Sequence, residues 1–320
     1  MPLHRWTTRL AAACIAIAAL AGCVTTESVT RGGATGVDSK SLMLVDAEQL
    51  NDQSAAIYRE MMTDARTEDR LNSDPVTTTR LQRIGDELIR HVAIFRDDAP
   101  GWDWEINVIR SPELNAFCMP GGKIAFYTGI IDRLELSDDE IAAIMGHEIA
   151  HALREHSRAR ISRALIGDFG TLVLGNVLAT DITTMNDLVV LRQLLSDLPY
   201  SRKHETEADI MGLELAARAG FDPEAAVRVW EKMAAEGGSS VPEFQSTHPS
   251  HETRINTIRS KLHIVRPLYA NGAGSTVPVT KANSSAAAEA LRADAYQDER
   301  DSFKQALATV GLLKKQESQK

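Results

Sequence analysis

The sequence predicts a mostly helical α+β domain with a small antiparallel sheet beside one of its helices. Helical patterning lies on both sides of a short region of strand signals, residues 104–128, and a helix-capping motif follows that region. The chain has 320 residues, of which 43% are hydrophobic and 25% charged. These values are typical of a globular protein that can bury a substantial core.

Residues 42–95 have the apolar spacing of helices, interrupted by an Asn-Ser-Asp-Pro sequence at 72–75. Asn, Ser and Asp favour turns, and Pro pushes the residue before it out of helical conformation, so two helices are predicted there. A further helix over residues 223–235 is predicted to complete the domain.

Three strands are predicted between these helices. At 104–108, Trp, Ile and Val alternate with Glu and Asn, which is the period of a half-buried strand. Residues 115–119 and 123–128 are joined by Pro-Gly-Gly at 120–122, and glycine supplies the positive φ that a tight reversal needs. The last two strands should therefore form a hairpin.

A capping box predicts where the next helix begins. Ser137 and Glu140 have the spacing at which each side chain satisfies a free amide of the other residue, so the helix should start at Asp138. One apolar stripe of this helix should face the core. His147 and His151, on a neighbouring stripe, should face a cleft.

The same helix carries a metal-binding pattern. His147 and His151 are four residues apart, so both imidazoles can point at one ion. Glu148 lies beside that ion and is placed to take a proton from an attacking water. A catalytic zinc usually has three protein ligands and an open fourth position, so a third ligand is expected elsewhere.

The third ligand is predicted to be Glu205, with Glu207 as the substitute. Residues 205–218 are compatible with a helix, and Asp209 lies one turn after Glu205 on the same face. A ligand histidine usually passes its other ring N–H to a carboxylate, which fixes its tautomer and orientation. Asp209 has the spacing for that task.

The N-terminus is interpreted as a signal peptide. Arg5 and Arg9 precede an apolar run at 10–20 that ends in Leu-Ala-Gly-Cys, a sequence that resembles a bacterial lipobox. Residues 1–22 would then be removed and Cys23 would carry the lipid. The alternative is an ordinary secretory signal cut by a different peptidase.

Residues 23–41 follow as a predicted tether, because they are rich in Gly, Ser and Thr and offer little that could pack. The formal net charge of −9 argues against nucleic acid as a partner. Attachment to the membrane should therefore come from acyl chains and not from a basic patch.

The composition of two further regions indicates what structure to expect there. Residues 164–195 are apolar, but charged residues break them into pieces too short to span a bilayer. A helical hairpin covering the active site is favoured over membrane contact. Residues 266–320 are expected to form a linker and a peripheral tail, with a possible helix at 285–313.

Four motifs together resemble the HtpX-like and BepA-like gluzincin metallopeptidases, relatives of the CAAX prenyl protease and of the mitochondrial Oma peptidase. The resemblance covers residues 42–262. The motifs are Asn115-Ala116-Phe117 with Pro120-Gly121-Gly122; His147-Glu148-x-x-His151; Ser201-Arg202 through Glu205-x-x-x-Asp209; and Thr247-His248-Pro249 with Arg254-Ile255.

The resemblance implies a minigluzincin-type metallopeptidase domain over residues 42–265 that holds one Zn²⁺ per chain. It implies that Glu205 is the third zinc ligand and that Asp209 supports the ligands. It places His248 toward the metal and Arg254 toward the substrate carbonyl. It also implies that a strand containing residues 115–117 (Asn115, Ala116 and Phe117) binds the substrate as an added antiparallel strand, which suits protein substrates because they share only their backbone.

Alternatives stay open at two of these positions. His248 could donate to the oxyanion, or it could occupy the fourth zinc position and keep the enzyme closed until it is displaced. Arg254 could stabilise the oxyanion or form a structural ion pair. The remaining histidines are expected to be surface or structural residues: His91, His156, His204, His251 and His263.

Motifs, signal and resemblance together imply a zinc-dependent endopeptidase of the bacterial envelope. It would face the periplasm from a lipid anchor, with the outer membrane as the expected location, and degrade misfolded or stalled envelope proteins, in possible contact with the outer-membrane assembly machinery. The rival is a self-closed assembly factor that binds unfolded envelope proteins and rarely cleaves them. A purely structural zinc is disfavoured, because Glu148 would have no role and structural sites usually use cysteine.

Overall fold

A computed structural model describes residues 28–166, 195, 200–236, 248 and 252–270. This part of the chain is mostly helical and contains one three-stranded sheet, which confirms the predicted α+β class. Several predictions lie outside the described residues: the signal peptide, Cys23, most of the apolar hairpin at 164–195, and the tail after residue 270.

The first two helices are α1 (Ala47–Thr67) and α2 (Pro75–Ile89). Each begins at an aspartate whose side chain accepts a hydrogen bond from a backbone amide of the first turn. The break between them coincides with the predicted turn. Two short 3-10 turns, Val92–Ile94 and Ala99–Gly101, lead to the sheet.

The sheet consists of β1 (Glu105–Ile109), β2 (Ala116–Met119) and β3 (Lys123–Tyr127), in the order β1-β3-β2. β2 and β3 form the predicted antiparallel hairpin, but β1 pairs with β3 in parallel. The prediction of a fully antiparallel sheet is therefore wrong. The hairpin inserts β3 between the other two strands, so β1 meets a strand of its own direction.

The hairpin turn depends on two glycines with positive φ, 80° at Gly121 and 85° at Gly122. A Cβ on Gly122 would lie 2.7 Å from a ring carbon of Trp104, which packs directly over the turn. A side chain at residue 122 is therefore excluded both by the backbone conformation and by Trp104.

After the short helix α3 (Thr128–Arg133), the helix α4 spans Asp138–Leu153 and starts where the capping box predicts. Ser137 N donates to Glu140 Oε2 at 2.8 Å, and Glu140 N donates to Ser137 Oγ at 3.3 Å. α4 is buried around its circumference over its second half. Its histidine face is thus enclosed like its apolar face.

The other helices are α5 (His156–Ile166), α6 (Arg202–Arg218), α7 (Ala225–Ala235) and α8 (Glu252–Ala270). α8 continues past the predicted domain boundary at residue 265. Leu268, at 2% exposure, lies on the same buried face as Ile258, Leu262 and Val265. The packed face of α8 therefore extends beyond residue 265.

α4 and α6 cross in close contact at two glycines. A Cβ on Gly146 would lie 2.9 Å from Gly212 O, and a Cβ on Gly212 would lie 2.6 Å from His147 N. Neither helix has room for a side chain at the crossing. The two helix backbones therefore approach closely at the level of His147.

The segment at residues 28–41, which we call the N-terminal segment, packs on the domain, so the tether prediction is wrong for these residues. The backbone amides of Ala34 and Thr35 donate to the carboxylate of Glu214 on α6 at 2.9 and 2.8 Å. Thr35 Oγ1 donates to the same carboxylate, and Val37 joins the main core. Composition alone did not indicate these polar contacts.

Among the described residues, no helix combines the length and the apolar character needed to cross a bilayer.

The helix crossing yields a stability prediction. Replacing Gly with Ala inside a helix normally stabilises it by about 1 kcal/mol. We expect Gly212→Ala to destabilise the protein instead, by about 3 kcal/mol, because the new methyl group collides with backbone atoms of α4. Denaturant unfolding measures the change. The control is Gly101→Ala, where no atom lies within 4 Å of the added Cβ, and wild-type stability in both variants would contradict the close crossing.

Candidate metal centre

Two helices supply the central side chains of the site. His147 and His151 lie one turn apart on α4, and Glu205 lies in the first turn of α6, which Ser201 caps by accepting a hydrogen bond from His204 N at 3.2 Å. Because α4 and α6 cross closely, the carboxylate of Glu205 reaches both imidazoles. The structure brings the three sequence-predicted ligands together.

The donor atoms have the spacing of a small tetrahedral site. The Nε2 atoms of His147 and His151 are 3.0 Å apart, and they lie 3.5 and 3.3 Å from the two oxygens of Glu205. Four donors at the usual zinc distance, arranged as a tetrahedron, lie about 3.3 Å from one another. The nitrogen and carboxylate donors match this metal in both chemistry and separation.

His248 supplies a fourth donor. Its Nδ1 lies 3.3 Å from His147 Nε2 and 3.1 Å from Glu205 Oε1. His147, His151, Glu205 and His248 each offer one donor atom, and these four atoms lie within 4.8 Å of one another. All four residues are buried. His248 thus lies where sequence reasoning expected a group facing the metal.

Glu148 lies beside this cluster without contributing to it. Its side chain is 2% exposed, and its Oε1 lies 3.6 Å from His248 Nε2. Burial raises the pKa of the Glu148 carboxyl, against the lowering effect of His248 and His147. A carboxylate with a raised pKa is a more effective general base near neutral pH.

Asp209 lies behind His147, as the spacing predicted. Its Oδ1 is 3.1 Å from His147 Nδ1, so it can accept the ring proton that points away from the metal position. Burial disfavours a protonated His147, yet hydrogen bonds to Asp209 and Glu205 raise the pKa of the imidazole to about 9. The carboxylates of Asp209 and Glu205 therefore outweigh the effect of burial on His147.

Arg254 is buried against two carboxylates of the site. Two of its nitrogens donate to the two oxygens of Asp209 at 2.7 Å, and a third lies 2.6 Å from Glu205 Oε2. The guanidinium also stacks 3.8 Å from the ring centre of Trp230. Of the two alternatives that the sequence left open, this arrangement favours the structural ion pair, and the role toward the substrate carbonyl stays a prediction.

Burial and charge act in opposite directions on the cluster's carboxylate. Burial acts to raise the pKa of Glu205, but nearby His248, the guanidinium of Arg254 and the hydrogen bond from His147 hold it well below its usual range. Glu205 is therefore an anion in the folded protein. Anionic carboxylate is the form that binds a metal ion.

Sequence reasoning missed a second set of buried groups behind His151. It assigned His156 and His204 to surface or structural positions, and the structure buries both, at 0% and 2% exposure. His156 contacts His151 and Glu207, so Glu207 does not act as the substitute ligand. The chain turns between α4 and α5 at Glu155, whose φ is 53°, and no sequence pattern indicated this turn.

Other predicted residues lie around the site. His263 is exposed, and His251 lies outside the described residues. Ala116 and Phe117 belong to β2, an edge strand next to α4, and Asn115 precedes it. The carbonyl of Asn115 accepts a hydrogen bond from Tyr127 N at 3.1 Å, which anchors the start of β2.

A small cleft lies between His151 and the hairpin turn. Its lining includes Leu50, Trp102, Pro120, Glu155 and Arg158. The cleft therefore adjoins both His151 and the end of β2.

Comparison with known proteins identifies a family. The model of peptidase family M48 matches residues 75–262, which include every donor of the cluster together with Glu148 and Arg254. The match covers more than half of the chain.

Individual relatives agree with this match. The chain is 38% identical to the mitochondrial metalloendopeptidase OMA1 of Arabidopsis thaliana over 54% of its length, and 41% identical to that of Schizosaccharomyces pombe over 50%. It is 26% identical to the β-barrel assembly-enhancing protease of Escherichia coli over 62%. The matched regions span 36%, 47% and 41% of these relatives, so the chain spans less than half of the length of each.

The cluster yields a prediction about metal removal. A ligand that binds only the folded state stabilises it by about 4 kcal/mol at a thousand times its dissociation constant. We therefore expect a zinc chelator to lower the thermal unfolding midpoint of the full chain. In His151→Phe, which lacks one donor, the chelator should change the midpoint little. An unchanged midpoint in wild-type protein that contains zinc before treatment would argue against a metal at this position.

Proposed function

The chain belongs to peptidase family M48, and on that premise we propose that it is a zinc-dependent metalloendopeptidase. The observation that carries the proposal is the buried cluster of His147, His151 and Glu205 with Glu148 beside it. A structural zinc site would not need a buried, otherwise uncommitted carboxylate next to the ligands. A peptidase does need one, as a general base.

In the proposed reaction, zinc would be held by His147, His151 and Glu205. It would supply Lewis acidity, which polarises a carbonyl and makes water acidic enough to attack at neutral pH. Glu148 takes a proton from the attacking water and returns it to the leaving amine. Asp209 keeps the His147 ring in the tautomer that presents Nε2 to the ion.

His248 has two candidate roles, and its position favours one of them. A donor to the oxyanion would lie near the reacting carbonyl, outside the ligand cluster. His248 Nδ1 lies within the cluster, close to His147 and Glu205. We therefore propose that His248 fills the fourth position at rest, so that the substrate must displace it.

The substrate is proposed to bind as an extended strand along β2. β2 is at the edge of the sheet next to α4, and the small cleft between His151 and the hairpin turn adjoins its end. Strand addition recognises backbone amides and carbonyls, with pockets for alternate side chains. Residues 115–117 (Asn115, Ala116 and Phe117) would supply those backbone groups, and this mode suits unfolded polypeptides of varied sequence.

The cellular role is proposed from sequence and relatives together. The lipobox-like sequence ending at Cys23 supports a lipid anchor in a bacterial envelope, with the domain facing the periplasm and the outer membrane as the proposed site. One relative is named a β-barrel assembly-enhancing protease, while others are mitochondrial endopeptidases. The proposed substrates are misfolded or stalled envelope proteins, and the outer-membrane assembly machinery is a possible partner.

The position of His248 also supports a second function. A site with four protein donors has no open position, so the protein could bind unfolded envelope proteins along β2 and rarely cleave them. This assembly factor would share the fold, the zinc and the substrate surface with the peptidase. The two functions differ in whether Glu148 is needed.

Cleavage of unfolded casein by the full chain tests the first function. We expect Glu148→Gln to retain zinc and to lower the cleavage rate by about 10²- to 10⁴-fold, the usual contribution of a general base. Zinc content is measured on the same samples. The matched control is Glu60→Gln on the exposed face of α1, which should cleave like wild type. Equal rates in wild type and Glu148→Gln would refute peptidase activity at this site.

A second variant tests whether the site is closed at rest. We expect His248→Ala to raise casein cleavage about tenfold, which corresponds to about 1.4 kcal/mol of closing free energy. The control is His263→Ala, which removes an exposed histidine of α8. A fall of about 10²- to 10³-fold in His248→Ala would instead assign His248 to the oxyanion.

A further inference from the structure

We propose that His156, Glu207 and Arg154 are positioning residues that fix the ligand His151, and that the N-terminal segment completes their outer end. We call these three residues the His151 support. The proposal rests on the proposed function only in taking His151 as a metal ligand. It assigns a role to buried groups that the cleavage chemistry does not use.

The first link is between two imidazoles. His156 Nδ1 lies 3.0 Å from His151 Nδ1. A ligand histidine must present a lone pair to the metal, and His151 directs Nε2 toward His147 and Glu205. Its proton is therefore on Nδ1, and that N–H donates to His156. His156 must then be the tautomer that accepts at Nδ1.

The second link follows from that tautomer. With Nδ1 accepting, His156 carries its proton on Nε2, which lies 3.2 Å from Glu207 Oε2. The His156 ring is 0% exposed and stacks on His204, with 4.3 Å between the ring centres. The ring is therefore held in one plane, and each of its nitrogens has one defined partner.

The third link is an ion pair. Arg154 donates to Glu207 Oε2 from Nη2 at 2.9 Å and from Nε at 3.3 Å. Both side chains are buried, and the guanidinium is 1% exposed. A buried carboxylate without its cation would be strongly destabilising, so this pair holds Glu207 as a fixed acceptor for His156.

The N-terminal segment binds the remaining donors of Arg154. Nη1 donates to Thr30 Oγ1 at 2.7 Å and to Ser28 Oγ at 3.1 Å, while Nη2 donates to Ser39 O and Oγ at 2.8 and 2.7 Å. The Ser39 hydroxyl in turn donates to Glu207. These bonds connect the start of the described chain with a ligand of the metal.

The other ligand histidine has a support of the same kind. His147 Nδ1 faces Asp209, and Asp209 accepts two hydrogen bonds from Arg254. Behind His151 a carboxylate and an arginine follow in the same order, Glu207 and then Arg154. The ring of His156 lies between His151 and Glu207. A buried histidine that only fills space in the core could use any polar group as its hydrogen-bond partner. His156 instead faces Nδ1 of His151, the nitrogen that points away from the metal position.

The two readings differ in what they predict for metal binding. If His156 only fills space, a substitution of similar size changes the stability of the metal-free protein but not its zinc affinity. If it positions His151, zinc affinity falls, because loss of such partners typically weakens metal binding 10- to 100-fold. Zinc affinity and metal-free stability therefore have to be measured separately.

The experiment uses the full chain and three substitutions. His156→Phe keeps a ring and removes the acceptor for His151; Ser39→Ala is a small change at the outer end; His263→Phe is the matched control on the exposed surface of α8. Zinc dissociation constants come from chelator competition. Cobalt(II) replaces zinc in parallel samples, because its visible absorption reports the arrangement of the ligands. Thermal unfolding of the metal-free proteins reports folding.

We expect His156→Phe to weaken zinc binding about 10- to 100-fold and to shift the cobalt absorption, Ser39→Ala to weaken binding by a few-fold, and His263→Phe to match wild type. Wild-type zinc affinity and cobalt absorption in His156→Phe would overturn the proposal. If His156→Phe fails to fold, Ser39→Ala decides alone, and unchanged zinc affinity there overturns the proposal. Failure of the wild-type chain to bind zinc would instead refute the proposed function.

Discussion

The close crossing of α4 and α6 is the constraint on which the rest of the structure depends. α4 carries the two ligand histidines and Glu148, and α6 carries Glu205, Asp209, Glu207 and Glu214. Glu205 and Asp209 reach the imidazoles of α4 because Gly146 and Gly212 let the two backbones touch. A larger side chain at the crossing would move the carboxylates away from the imidazoles.

Each of the acids buried on α6 is paired with an arginine, and one arginine serves two of them. Arg254 from α8 pairs with Glu205 and Asp209, Arg154 at the end of α4 pairs with Glu207, and Arg218 on α6 pairs with Glu214. Buried ion pairs contribute little net stability, but loss of one partner is costly because it leaves the other charged and unsolvated. The pairs therefore specify how α8 and the end of α4 dock on α6, and the metal cluster depends on that docking. The N-terminal segment joins this network through Glu214 and Arg154.

Local sequence patterns predicted the elements whose structure is determined by residues close together in the chain. The capping box and the four-residue histidine spacing located α4, and Pro-Gly-Gly located the hairpin. The pairing of β1 with β3 depends on how the hairpin folds back, which no local pattern encodes. The contact of His156 with His151 depends on a single positive φ at Glu155. The N-terminal segment looked like a tether because it has few apolar residues, yet hydrogen bonds to buried charges hold it in place. Composition does not report bonds of that kind.

A site with four protein donors must lose one before a substrate carbonyl can approach, and the four donors differ in how the chain holds them. His147 and His151 are held by supports that end in buried arginines, and Glu205 is bound to Arg254. His248 lies near His147, Glu205 and Glu148 and makes ring contacts with His147, His151 and Tyr200. It lies outside the crossing helices α4 and α6, which carry the other three donors. A donor outside the crossing can move without separating α4 from α6, and under the proposed function strand addition along β2 would supply the free energy to displace it.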